Sequence, residues 1–257
     1  MAAPRPIVVM IHGAFAGGWC FDVFRETFAA QDWTCHTPDL IGHGDRRDAK
    51  DGLRGVGLAD YRAELAAFIR ALPAPPLLLG HSMGAVLAQQ LAAEGLARGL
   101  VLVSPAPRAG ILPTSKAEKA AAQGLMSLGA FWQDAIHPNF EIAAHDSLNK
   151  IPPAQQRALF DRFGPESGRA LFELFFWMLD PTAASAVDVA AVRCPVLCLG
   201  GSDDRVFSTA TLQATAAPYV GATIRELSGH GHMLPLEDGA GRVAAQIVQW
   251  AARSVGM

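Results

Sequence analysis

The chain has 257 residues, of which 51% are hydrophobic and 18% charged, with 21 basic against 24 acidic side chains. That balance excludes disorder and fibrous repeats, and a net charge of −3 with scattered arginines gives no basic field for nucleic acid. No apolar run approaches the roughly 20 residues that cross a bilayer, so no membrane partner is expected.

Residues 1–6 run directly into the apolar stretch 7–11, without the basic start and small-residue cleavage site of a secretory leader, so a cytoplasmic protein is expected. Short apolar runs at 7–11, 77–79, 100–103 and 196–199, bounded by Gly or Pro, predict strands buried on both faces. Helical periodicity occupies 60–72, 83–94 with Gly95 as its stop, and 241–253. Alternation of this kind predicts an α/β fold, a mostly parallel central sheet flanked by helices.

Residues 107–191 differ, because they lack strand-like runs and are broken by Pro113, Pro138, Pro152, Pro153, Pro165 and Pro181. They predict a helical cap inserted into a core made of 1–106 and 192–257. The cap holds nine of the twenty Phe, Trp and Tyr residues. Some of these should line an apolar substrate pocket, for which Phe15, Trp132, Phe172, Phe176 and Trp177 are the candidates.

The four cysteines are Cys20, Cys35, Cys194 and Cys198. Cys194 and Cys198 flank one predicted strand, which would hold their Cα atoms about 13 Å apart, beyond disulfide reach. Buried free thiols are expected.

Gly80-His81-Ser82-Met83-Gly84 fits a G-x-S-x-G turn between a strand and a helix. Such a turn strains the serine backbone, demands small residues two before and two after, and points a helix N-terminus at the hydroxyl, where negative charge is favoured. A serine hydroxyl needs a base, itself oriented by an acid. The loop 228–233 offers His232 and His230, of which His232 is preferred. The loop 200–206 offers Asp204 and Asp203, of which Asp204 is preferred, and the chain order Ser, Asp, His suits this turn.

These residues together resemble the α/β-hydrolase family over nearly the whole chain. His12-Gly13-Ala14-Phe15 is similar to the family's oxyanion loop, Pro38-Asp39-Leu40-Ile41-Gly42-His43-Gly44-Asp45 to its second loop, Gly201-Ser202-Asp203-Asp204-Arg205 to its acid loop, and Gly231-His232-Met233-Leu234-Pro235-Leu236-Glu237 to its histidine loop. The resemblance implies a catalytic triad of Ser82, Asp204 and His232. It also implies an oxyanion hole from the backbone N–H groups of Ala14 and Met83, with His12 bracing the loop.

The implied activity is hydrolysis of a carboxylic ester, lactone or thioester of a small to medium apolar molecule through an acyl-enzyme, without cofactor. Ser82 stands where a dehalogenase of this fold has Asp, and Met233 where hydroxynitrile lyases have Lys. Carbon–carbon bond hydrolases, perhydrolases and receptor-like binders share the scaffold and are the alternatives. His137, Glu141 and His145 lie four residues apart, but Pro138 breaks the turn, so a solvated face is expected there rather than a metal site. Trp19 is expected to pack in the core rather than cover the oxyanion loop.

Overall fold

The computed structural model describes residues 5–46 and 52–257; the first four residues, on which part of the leader reading rests, lie outside it. Six strands form one sheet: β1 (Ile7–Ile11), β2 (Thr34–His36), β3 (Leu77–His81), β4 (Gly99–Val103), β7 (Val196–Gly201) and β8 (Thr223–Leu227), in the order β2-β1-β3-β4-β7-β8. Every pairing is parallel. Antiparallel turns cannot join such strands, so each needs a crossover, and the apolar runs read from the sequence are covered on both faces.

The covering follows the strand period of two. Val9, Ile11, Leu78, Leu100, Leu102 and Cys198 pack on one side with helices α2 (Leu58–Arg70), α3 (Met83–Ala93) and α8 (Thr209–Ala216). Val8, Met10, Leu77, Leu79, Val101, Val103, Leu197 and Leu199 face the other side, against α1 (Asp22–Ala29) and α9 (Ala240–Ser254). In α9 the buried positions Ala240, Val243, Ala244, Ile247, Trp250 and Ala251 form the single apolar stripe expected of a helix lying on a sheet. The strand order reverses at β1, which pairs with β2 on one side and β3 on the other. Loops leaving β1 and β3 therefore diverge across a crevice at the carboxyl edge, the usual ligand position in open parallel sheets.

Between β4 and β7 come α4 (Lys116–Ser127), β5 (Ala135–Ile136), α5 (Phe140–His145), α6 (Pro153–Phe160), β6 (Glu166–Ser167) and α7 (Gly168–Phe175). The expectation that this stretch holds no strands needs correction, because β5 and β6 pair antiparallel through Ala135–Ser167 and Ile136–Glu166. Two residues per strand are too few to leave a pattern in sequence. The four cysteines are free, but only Cys20 and Cys198 are buried; Cys35 and Cys194 are half-buried. No helix among the described residues is long and apolar enough to cross a membrane.

Candidate active site

Ser82 joins β3 to α3 with φ 52° and ψ −122°. A non-glycine residue there costs on the order of 1–3 kcal/mol and persists only where its surroundings enforce it. The enforcement is visible: Ser82 N–H donates to the Val103 carbonyl at 3.1 Å, and its own carbonyl accepts from Ala85 and Ala106 at 2.9 and 3.1 Å. A Cβ on Gly80 would sit 2.3 Å from the Gly84 oxygen, and one on Gly84 would sit 2.2 Å from the Ile11 oxygen. Both glycines are thus required by contact.

The loop after β1 comes equally close, since a Cβ on Gly13 would lie 2.8 Å from Ser82 Cβ. His12 anchors this loop. Its Nε2 accepts from Leu40 N–H at 3.0 Å, which leaves the proton on Nδ1 to donate to the Gly13 carbonyl at 2.8 Å. Burial, reinforced by neighbouring His43, lowers its pKa to about 4, so the ring is a neutral brace. Ala14 and Phe15 follow, and Phe15 takes φ 64° while its carbonyl accepts from Gly164 N–H at 2.9 Å. Met83 opens α3, so its N–H has no intrahelical acceptor.

At the far side of the crevice His232 Nδ1 and Asp204 Oδ2 are 2.9 Å apart, both side chains almost wholly buried. The other Asp204 oxygen accepts from Val206 and Phe207 N–H groups at 2.8 and 2.9 Å, which fixes the carboxylate plane. A carboxylate there accepts a hydrogen bond from Nδ1–H, which fixes the tautomer with Nε2 unprotonated and free to act as a base. His232 is tied to the elbow by its neighbour: His81 Nε2–H donates to the His232 carbonyl at 3.0 Å, with the two rings 4.9 Å apart. Burial and the adjacent His232 lower the His81 pKa to about 3, so this ring too is neutral.

The competing residues point elsewhere. His230 Nδ1 meets Glu237 Oε2 at 3.0 Å, and Glu237 also accepts from Gly231 N–H. Asp203 is half-exposed and pairs with Lys150. His137, Glu141 and His145 do not converge: no group of three or more His, Cys, Asp or Glu among the described residues is placed to hold a metal. Trp19 is half-buried, its ring 5.8 Å from Phe163 and capped by the Arg162 guanidinium at 4.1 Å, so it packs at the junction with the inserted stretch rather than deep in the core.

Of the aromatic candidates, Trp132, Phe172 and Phe176 cluster with Phe131 at centroid separations of 5.3–6.3 Å. Trp177 is half-buried just after α7. Sequence reasoning passed over a different pair. Phe175 stacks on Phe207 at 6.2 Å, and Phe207 meets the His232 ring edge-on at 5.6 Å. Phe175 is one of the nine aromatic residues of 107–191, but only the folded helix shows that it faces Phe207 rather than the Phe131 cluster.

Comparison with known proteins finds a match to the "Alpha/beta hydrolase family" over residues 8–246. The chain is 33% identical over 79 residues to a pyrethroid hydrolase of Sphingobium wenxiniae, a match spanning 30% of this chain and only 27% of that relative. It is 27% identical over 255 residues to a pimeloyl-[acyl-carrier protein] methyl ester esterase of Stenotrophomonas maltophilia, covering 96% and 93% of the two chains. The fold is similar to that of the methylesterase MES16 from Arabidopsis, with TM-score 0.73 at 15% identity over 96% of this chain and 99% of that one.

Proposed function

The chain belongs to the alpha/beta hydrolase family, and from that premise we propose that it is a serine hydrolase cleaving a carboxylic ester, or a lactone or thioester, of a small to medium apolar molecule. The observation that carries this reading is the buried Asp204–His232 pair at 2.9 Å, tied through His81 to the strained serine of the elbow. Esterase-type relatives, among them the methyl ester esterase that matches nearly end to end, support the reaction class.

Ser82 Oγ attacks the carbonyl carbon while His232 Nε2 takes its proton; Asp204 stabilises the imidazolium that forms. The developing oxyanion is met by the N–H groups of Ala14 and Met83, the latter at the positive end of α3. Proton return from His232 expels the alcohol or thiol. A water activated by the same imidazole then releases the acid and restores Ser82. Residues 107–191 act as a cap over this site, and their aromatic rings, with Phe15, make the substrate pocket apolar. No cofactor takes part.

The test is a fluorophosphonate probe together with a panel of esters, lactones and thioesters, applied to wild type and Ser82→Ala. Labelling at Ser82 alone, with turnover lost in the variant, is expected. Turnover retained in purified Ser82→Ala would overturn the serine mechanism.

A further inference from the structure

Helix α4 is attached to the rest of the molecule by a charge rather than by apolar contact. Of its twelve residues only Glu118 is buried, while Met126 and neighbouring Leu128 are exposed. Glu118 Oε1 accepts from Ser208 N–H at 2.8 Å, from the Ser208 hydroxyl at 3.0 Å and from the Thr211 hydroxyl at 2.6 Å. Its Oε2 accepts from Thr114 N–H at 2.5 Å, Ser115 N–H at 2.9 Å and the Thr114 hydroxyl at 3.1 Å. Ser208 is the N-cap of α8 and Ser115 that of α4. One carboxylate thus serves the first turns of two helices, where unpaired N–H groups and the helix dipoles favour negative charge. Burial alone would raise its pKa, but these donors, Ser208 N–H foremost, hold it at about 2.

The segment on which this tether lands carries the acid of the site. Ser208 follows Phe207, whose N–H, like that of Val206, donates to Asp204 Oδ1 and whose ring meets His232. Anything that lets Ser208 drift loosens both of these contacts together. The far side of the same turn is held independently, since Asn149 Nδ2–H donates to the Asp203 carbonyl at 2.8 Å and Arg205 donates to the His145 carbonyl at 3.0 Å. The inserted stretch therefore grips the acid turn at both ends.

We propose that Glu118 is a positioning residue: by holding Ser208 and Thr211 it fixes the turn 204–208, keeps the Asp204 carboxylate aligned on His232, and couples α4 to the rate of the chemical step. The inference rests on the assignment of Asp204 and His232 made above. A carboxylate that merely fastened α4 would affect stability and leave the imidazole untouched, and that difference can be measured.

Glu118→Gln keeps the side-chain volume but replaces one accepting oxygen with a donor facing other donors. With p-nitrophenyl butyrate as substrate, kcat should fall about tenfold or more while KM stays within about twofold. The acid limb of the kcat/KM profile should move to lower pH, because a misaligned Asp204 stabilises the imidazolium less. Ser208→Ala and Thr211→Val, which remove hydroxyl donors on the α8 side, should move kcat and the acid limb in the same direction by smaller amounts. Ser115→Ala removes only the side-chain cap that Glu118 N–H donates to at 3.1 Å, and should leave both unchanged. A lower Tm in Glu118→Gln with kcat and the acid limb intact would overturn the proposal. Should that variant not fold, unchanged kcat and acid limb in Ser208→Ala and Thr211→Val overturn it equally. Wild type that neither hydrolyses the ester nor takes a fluorophosphonate at Ser82 defeats the hydrolase reading itself; labelled, active wild type with indifferent variants defeats only the role of Glu118.

Discussion

His43 Nε2 and Glu166 Oε2 lie 3.0 Å apart with neither side chain exposed, although 123 positions separate them in the chain. His43 belongs to the loop after β2 and Glu166 to β6, so the pair fastens the inserted stretch to the core. Other bonds follow the same seam: the Tyr61 hydroxyl donates to Glu166 Oε1 at 2.7 Å, the Ser167 hydroxyl to the Val56 carbonyl at 2.5 Å, and Leu58 N–H to Glu173 Oε2 at 2.7 Å. Glu173 thus caps α2 and pairs with Arg169 at 2.8 Å.

Removing one partner of a buried pair strands the other, so Glu166→Gln should lower stability by about 3 kcal/mol or more. Burial works against charge on both groups, yet Glu166 raises the pKa of His43 above 6.5 and His43 lowers that of Glu166 below 4.5. The His43 contribution is then complete below its ordinary value of 6.5 and is lost as pH rises through the raised one. The Glu166 contribution is complete above 4.5 and is lost as pH falls through the lowered value. The wild-type advantage should therefore be greatest between these limits and shrink on either side. Urea denaturation of both proteins across pH 3 to 9 measures it, and an advantage independent of pH would refute the ion-pair account.

Glu118 gives a second pH signature, one-sided rather than two-sided. Its folded value of about 2 against an ordinary 4.5 gives a contribution that is complete above 4.5 and is lost as pH falls toward 2. The Tm difference between wild type and Glu118→Gln should be constant through neutral pH and close in that acid range. A difference that instead widened in acid would mean the carboxylate is not held ionised.

The paired candidates around the base and acid separate by kinetics. His232→Ala and Asp204→Asn should each lower kcat at least about a thousandfold, as expected for the base and its orienting carboxylate. His230→Ala and Asp203→Asn should cost far less, because those side chains are engaged with Glu237 and Lys150. The reverse ranking in purified, folded variants would exchange the assignments.

Elbow sterics predict failure of folding rather than of chemistry. Gly84→Ala drives a methyl to 2.2 Å from a backbone oxygen of β1, which only a shift of β1 or α3 can relieve. Destabilisation on the order of 3 kcal/mol is expected by thermal or chemical unfolding. Near-wild-type stability would mean that the turn is looser than its contacts indicate.

Much of this was legible in the sequence because the central strands are continuous apolar runs and the elbow, acid and histidine loops are local motifs. Strand β2 was not, since Thr34–His36 is a short edge strand that is never fully buried. Glu118 and Glu166 were not either. Each reads locally as an ordinary solvated acid, and the groups that hydrogen-bond it, Ser208 and Thr211 for one and His43 and Tyr61 for the other, come from about 90 to 120 positions away. His230 and His232 share one loop, and their different partners, Glu237 for the first and Asp204 for the second, are visible only once that loop is folded.

Two of the aromatic groups in residues 107–191 differ in what they touch, and truncation should tell lining from glue. Trp132, Phe172 and Phe176 touch one another and Phe131, which is itself buried. Phe175 instead reaches Phe207 and, through it, His232. Truncating to Ala a ring that only holds the inserted stretch together should cost on the order of 3 kcal/mol or more and leave substrate choice alone. A ring that lines the pocket leaves room when truncated. Each buried methylene adds up to about 0.8 kcal/mol, so kcat/KM for a series of p-nitrophenyl esters should climb over the first carbons and fall once the pocket is full. In Phe175→Ala that maximum should move to longer acyl chains, whereas in Phe131→Ala it should stay and Tm should drop. Charged acyl groups should be poor throughout, since Glu173, the one ionic side chain in the aromatic stretch 171–179, is already committed to Arg169 and Leu58. A maximum for an anionic ester would refute the apolar pocket while leaving Ser82, His232 and Asp204 in place.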